Sequence, residues 1–169
     1  MKDRYRILVL EGDLETERDA DRVRGVGVEA VQLTTGGACH LEAHQIQQAW
    51  EMLDPTEPYD FIFVENVGNL VCPASYDLGE HLRVVLLSVP EGEDKPPKYP
   101  KAFRESHACV ITKVDLLPHF DFRVDEVIRL VHELRPGMPI LQMAATKDEG
   151  VDEWIAFLEE QRRDLLVVG

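Results

Sequence analysis

Short, unbroken apolar runs alternate along this chain with longer stretches of helical spacing, and that alternation restricts the fold more than any other feature. Residues 7–10, 28–33, 61–64, 84–89, 109–111 and 139–143 read as strands, and residues 16–24, 41–53, 124–134 and 151–160 as helices. Near-continuous apolar runs, such as 61–64 and 84–89 with only Ser88 polar, suit strands buried on both faces. Alternation of this kind implies a parallel sheet covered by helices, with ligands bound at the carboxyl ends of the strands. The fold class is α/β. Val151, Trp154, Ile155 and Leu158 share one helical face and read as core packing. The loop at 91–100, rich in charge and proline, is expected to be the most mobile segment.

Composition narrows the function. A chain of 169 residues with 44% hydrophobic content fits a single domain, residues 1–169, with a sizeable core. A formal net charge of −14 argues against nucleic acid or an anionic membrane surface as a partner. No apolar run approaches the ~18 residues that span a bilayer. Met1 leads almost directly into a strand, so no signal peptide is expected. Three cysteines without a framework-like spacing suit a reducing cytoplasm, with thiols serving as ligands or core filling.

Cys39, His40 and Cys72 are the metal candidates. They lie in two glycine-containing loops, Thr35-Gly36-Gly37-Ala38-Cys39-His40 and Glu65-Asn66-Val67-Gly68-Asn69-Leu70-Val71-Cys72-Pro73, each following a strand. Loops leaving the same end of a parallel sheet can meet. Two thiolates and one imidazole suit Zn²⁺ or Ni²⁺ and leave one position open on a tetrahedral or square-planar ion. A helix starting at Leu41 would lower the Cys39 thiol pKa, and His44, one turn after His40, is either a further contact or an exposed side chain. Cys109, inside an apolar strand, reads as core.

Asp13 and Glu65, at strand ends, and Asp19, within Thr16-Glu17-Arg18-Asp19-Ala20, are acidic candidates. Glu65-Asn66-Val67-Gly68 occupies the place where phosphate-hydrolysing folds put an acidic residue that reaches Mg²⁺ and a glycine that senses the γ-phosphate. Asp19 is favoured for the Mg²⁺ or water-orienting role. Thr112-Lys113-Val114-Asp115, after the strand at 109–111, resembles the guanine-reading (Asn/Thr)-Lys-x-Asp turn of GTPases, in its signal-recognition-particle variant. Taken alone, four such residues also describe a surface turn. Ala144-Ala145-Thr146-Lys147, after the next strand, resembles the Ser-Ala-(Thr/Leu)-Lys guanine loop, with Ala144 in place of the serine and its backbone N–H left to meet the base.

Taken together, Glu11-Gly12-Asp13-Leu14, the stretches at 35–40 and 65–73, Ser88 with the residues up to Pro96, Lys113 with those up to Leu117, and Gly150 with those up to Trp154 resemble the hydrogenase nickel-incorporation GTPase family, HypB. The resemblance implies a P-loop-NTPase-like fold of the SIMIBI type, and a homodimerising, GTP- and Mg²⁺-dependent metallochaperone. Its implied partners are a HypA-type nickel chaperone and a hydrogenase large-subunit precursor. It also implies a catalytic role for Asp19 and Glu65, and nucleotide binding by Gly68, Thr112, Lys113, Asp115, Ala144 and Ala145. Cys39, His40 and Cys72 correspond to residues that bind Zn²⁺ or Ni²⁺ at the dimer interface in that family. One departure is large. No Gly-x-x-x-x-Gly-Lys-(Ser/Thr) string occurs. The family's first strand, phosphate loop and first helix, roughly 30 residues on the scale of a βαβ unit, are therefore expected to be missing. The chain is read as the carboxyl-terminal part of a HypB-like GTPase domain, impaired in GTP binding and hydrolysis. The alternative is a non-hydrolysing metal-binding or dimerisation protein.

Overall fold

The computed structural model describes residues 1–13 and 18–168, so Leu14, Thr16 and the expected start of the first helix lie outside the described residues. The chain forms two compact units, Met1–Gly79 and Glu80–Gly169. In the first, β1 (Ile7–Asp13) is followed by α1 (Arg18–Gly25), β2 (Glu29–Thr34), α2 (Ala43–Leu53) and β3 (Phe61–Glu65). The strands are parallel in the order β2-β1-β3. In the second, β4 (Val84–Ser88), α3 (Lys95–Lys98), α4 (Pro100–Glu105), β5 (Ala108–Thr112), α5 (Val124–Leu134), β6 (Ile140–Met143) and α6 (Val151–Val168) follow in turn. Their strands are again parallel, in the order β4-β5-β6. The parallel α/β class read from the alternation holds. No helix among the described residues is long and apolar enough to cross a membrane.

The core of the first unit gathers on one face of β1. Leu8 and Leu10 are buried against Leu33, Leu41 and Ala49, with Ile46, Tyr59 and Val64 packed around them. At Gly12 the side chain of Leu41, in the loop after β2, lies directly over this strand. A Cβ there would stand 2.6 Å from Leu41 Cδ1 and 2.8 Å from the Glu65 carbonyl oxygen. Gly12→Ala is therefore expected to cost about 2 kcal/mol by overpacking, measured by urea unfolding; a neutral result would mean that Leu41 does not sit over β1.

Two readings of local structure need correction. The second helix begins at Ala43, not Leu41, because Glu42 is its N-cap and exchanges capping-box hydrogen bonds with Gln45. Leu41 instead donates its backbone N–H to Asn66 Oδ1 at 2.9 Å. The stretch at 91–100 is built on helical turns. Ser88 and Glu91 form a capping box, Pro96 is buried, and Glu93 accepts from the Arg123 backbone and guanidinium, each at 2.7 Å.

Burial on both faces was expected for residues 61–64 and 84–89, and it is found instead on β5, where Ala108, Cys109, Val110 and Ile111 are all 0% exposed. β3 and β4 each end the strand order of their sheets, and they leave Ile62 44% and Leu86 58% exposed. An end strand has a sheet neighbour on one side only, so an apolar residue can remain in contact with solvent.

Candidate metal centre

The loops after β2 and β3 bring Cys39, His40 and Cys72 together. Their ligand atoms all lie within 4.8 Å of one another, and Cys39 Sγ is 3.7 Å from His40 Nδ1. A tetrahedron with metal–sulfur bonds of ~2.3 Å has edges near ~3.8 Å, so small side-chain rotations close this group around one ion. Two sulfurs and an imidazole also suit a borderline-soft divalent metal in donor chemistry.

The two thiols are not equivalent. A hydrogen bond from Cys72, joined by one from His40, holds the Cys39 thiol below the ordinary thiol range. The same bond pushes Cys72 up. Cys39 is therefore the more acidic of the two thiols. The cause differs from the one expected. Cys39 does not sit on a helix N-terminus, since α2 begins only after Glu42; its neighbours lower the pKa.

His40 is held on both sides. Its ring stacks on Tyr76 with centroids 3.7 Å apart and planes inclined by 19°. Nε2 is buried without a hydrogen-bond partner, 3.6 Å from Glu42 Oε1. Nδ1 faces Cys39, and a small shift of the Glu42 carboxylate toward Nε2 would give the carboxylate contact that orients an imidazole ligand. His44 is outside the group. His40 precedes the helix, so the one-turn spacing does not apply, and the exposed His44 ring instead places Nδ1 3.3 Å from Glu42 Oε2.

Two asparagines join the loops. Asn66 Oδ1 accepts from the N–H groups of Leu41 and Val67, each at 2.9 Å. Asn69 Nδ2 donates to the Cys39 carbonyl at 2.6 Å, while its Oδ1 accepts from Val71 and Cys72 N–H at 2.9 Å. Sequence reasoning named neither, nor Tyr76 nor Glu42. Their only signal was a pair of turn-forming asparagines around Gly68.

The first unit also holds an acidic pair. Glu11 on β1 is in register with Glu65 on β3 and is only 5% exposed. Burial raises its carboxyl to about 7, helped by a hydrogen bond and the charge of Glu65 and by the charge of Asp19. Asp19 itself forms a 2.7 Å ion pair with Arg22 on the exposed face of α1. Gly68, in the loop after β3, is exposed.

In the second unit, Thr112 closes β5 and Lys113 follows in a left-handed conformation (φ 60°, ψ 40°). That residue turns the chain sharply at the strand's carboxyl end, and Asp115 stands in the 3₁₀ turn that follows. Ala144, after β6, is buried, and its N–H donates to the Glu149 carbonyl at 2.9 Å. That N–H, expected to meet the base, is already engaged in closing the turn. Ala145 is exposed at the start of a 3₁₀ turn.

Comparison with known proteins gives these features a family. The model of the CobW/HypB/UreG nucleotide-binding domain matches residues 1–142. The crystal structure of HypB from Helicobacter pylori in complex with nickel superposes with a TM-score of 0.92 at 47% identity, covering 97% of this chain and 77% of that one. The chain belongs to the HypB family. A second HypB structure, from Archaeoglobus fulgidus, gives a TM-score of 0.86 at 35% identity, over 95% of this chain and 78% of its own. The hydrogenase maturation factors HypB of Azotobacter chroococcum mcd 1 and Escherichia coli (strain K12) are 48% and 47% identical over 92% and 96% of this chain. This HypB-family chain spans about half the length of these curated relatives, 51% and 56% respectively.

Proposed function

We propose that this chain carries Ni²⁺ or Zn²⁺ as cargo on Cys39, His40 and Cys72, and acts as the carboxyl-terminal part of a single HypB-like GTPase domain in hydrogenase maturation. The observation that carries the reading is the convergence of two thiols and an imidazole within 4.8 Å. Nickel is favoured because a HypB of the same fold, at 47% identity, was crystallised in complex with nickel. In this reading the fourth ligand position is filled by water or by a second copy in a homodimer. A HypA-type chaperone supplies the ion and a hydrogenase large-subunit precursor receives it. Thr112, Lys113, Asp115 and Ala145 read the guanine. Glu65 and Asp19 take catalytic roles and Gly68 a nucleotide-binding one, and Glu11 is the neighbour that shares a proton with Glu65.

Metal binding must displace thiol protons. Calorimetric titration with Ni²⁺ and Zn²⁺ in buffers of different ionisation enthalpy is expected to show saturable binding with proton release, weakening below neutral pH. Absence of saturable binding by either ion would overturn the reading.

The second reading, a metal-binding or dimerisation protein without hydrolysis, is favoured by one observation. No Gly-x-x-x-x-Gly-Lys-(Ser/Thr) string occurs in the chain. Without that loop's lysine and backbone N–H groups, the main attraction for the β- and γ-phosphates is lost. The 169-residue chain is therefore expected to bind Mg-GTP only weakly and to hydrolyse it negligibly. Micromolar affinity in a calorimetric titration would show a phosphate site of another kind.

A further inference from the structure

We infer that Asn69 is the positioning residue of the metal centre, its carboxamide fixing the backbone of Cys39 against the backbone of Cys72. The inference rests on the metal-carrying reading above. The ligands come from two irregular loops, and no regular ladder sets the distance between them. Asn69 bridges that gap directly. Its Nδ2 donates to the carbonyl of Cys39, and its Oδ1 accepts from the N–H of Cys72. A third bond, from Val71 N–H, closes the turn that presents Cys72.

The orientation of the carboxamide follows from its partners. Two N–H groups can face only the oxygen, and a carbonyl only the nitrogen, so a flipped amide would lose all three bonds. No smaller polar residue offers a donor and an acceptor at this separation. Without the bridge the loops still fold from the ends of their strands, but each thiol must then be ordered at the moment of metal binding. Asn66 makes a parallel tie, yet its contacts are to Leu41 and Val67 and not to a ligand residue.

The test compares Asn69→Ala with Ala49→Gly in the same chain. Ala49 is 4% exposed in the core on α2, so its replacement lowers stability while leaving every ligand residue and the Asn69 hydrogen bonds in place. Ni²⁺ affinity is measured by competition with a chromophoric chelator, and the sulfur-to-nickel charge-transfer bands are recorded at saturation. Asn69→Ala is expected to bind Ni²⁺ about 10-fold more weakly, with altered charge-transfer bands, while Ala49→Gly keeps wild-type affinity and spectrum. If Asn69→Ala matches wild type in both, or changes no more than Ala49→Gly does, Asn69 is only a structural residue and the inference falls. Failure of the wild-type chain to bind nickel is a separate result, which overturns the metal-carrying reading and this inference with it.

Discussion

Cys72→Ala weakens Ni²⁺ binding by more than about 100-fold at neutral pH, beyond the ~10–100-fold typical of losing an outer-shell partner, because it removes two things at once. One is a thiolate ligand. The other is the largest of the hydrogen bonds that hold the Cys39 thiol low, so the remaining sulfur keeps only the help of His40 and its own backbone. The loss is therefore expected to steepen as pH falls. Cys39→Ala removes the more acidic thiol and should cost as much. Cys109→Ala is the contrast. Cys109 is fully buried on β5, and burial pushes its thiol up to about 12, so it offers no thiolate. That substitution should cost about 1 kcal/mol of stability and leave nickel binding unchanged. Chelator competition across the three variants and several pH values checks this. Equal losses in all three would mean that the ligand thiols are wrongly chosen.

Glu11→Gln should make the protein more stable at pH 8 by up to about 3 kcal/mol, with the gain vanishing toward pH 4.5. Glu11 is raised from 4.5 to about 7, first by burial and then by its neighbour Glu65. A carboxyl whose folded pKa lies above its unfolded one holds its proton more tightly when folded. Its stabilising contribution is complete below pH 4.5 and is lost as pH rises through about 7. Glutamine keeps the neutral shape and does not ionise, so it retains that contribution in alkaline solution. Other carboxylates titrate in the same range, so the informative quantity is the difference between variant and wild type in urea unfolding from pH 5 to pH 8. A difference that stays flat across this range would show that the Glu11 carboxyl is not held neutral.

Much of the fold was legible because buried parallel strands leave continuous apolar runs. Residues 109–111 are continuously apolar, and β5 is buried on both faces. The same signature at Phe61-Ile62-Phe63-Val64 misled, since hydropathy cannot tell a strand flanked on both sides from one that ends a sheet and leaves Ile62 exposed. The start of α2 was misjudged for a related reason. Leu41 fits the apolar spacing of the helix, but its burial comes from the close approach to Gly12 and its N–H goes to Asn66.

The convergence of Cys39, His40 and Cys72 was legible because soft donors at strand ends have few other uses that suit both loops. The residues that arrange those ligands were not. An asparagine in a loop reads as a turn former, and nothing local tells that Asn69 reaches 30 positions back to Cys39. Glu11 read as the polar end of a strand, and only the in-register neighbour Glu65 reveals a carboxyl pair. Asp19 was assigned a Mg²⁺ or water-orienting role from its place in a motif, and its charge does act on Glu11, while its side chain pairs with Arg22.

The account stands most directly on the identity of the atoms that touch the metal. Nickel K-edge X-ray absorption on the chain loaded with one equivalent of Ni²⁺ should show at least two sulfur ligands per nickel together with imidazole nitrogen, and Cys72→Ala should lower the sulfur count. A first shell made only of nitrogen and oxygen, or a spectrum that Cys72→Ala leaves unchanged, would contradict a metal centre built on Cys39, His40 and Cys72.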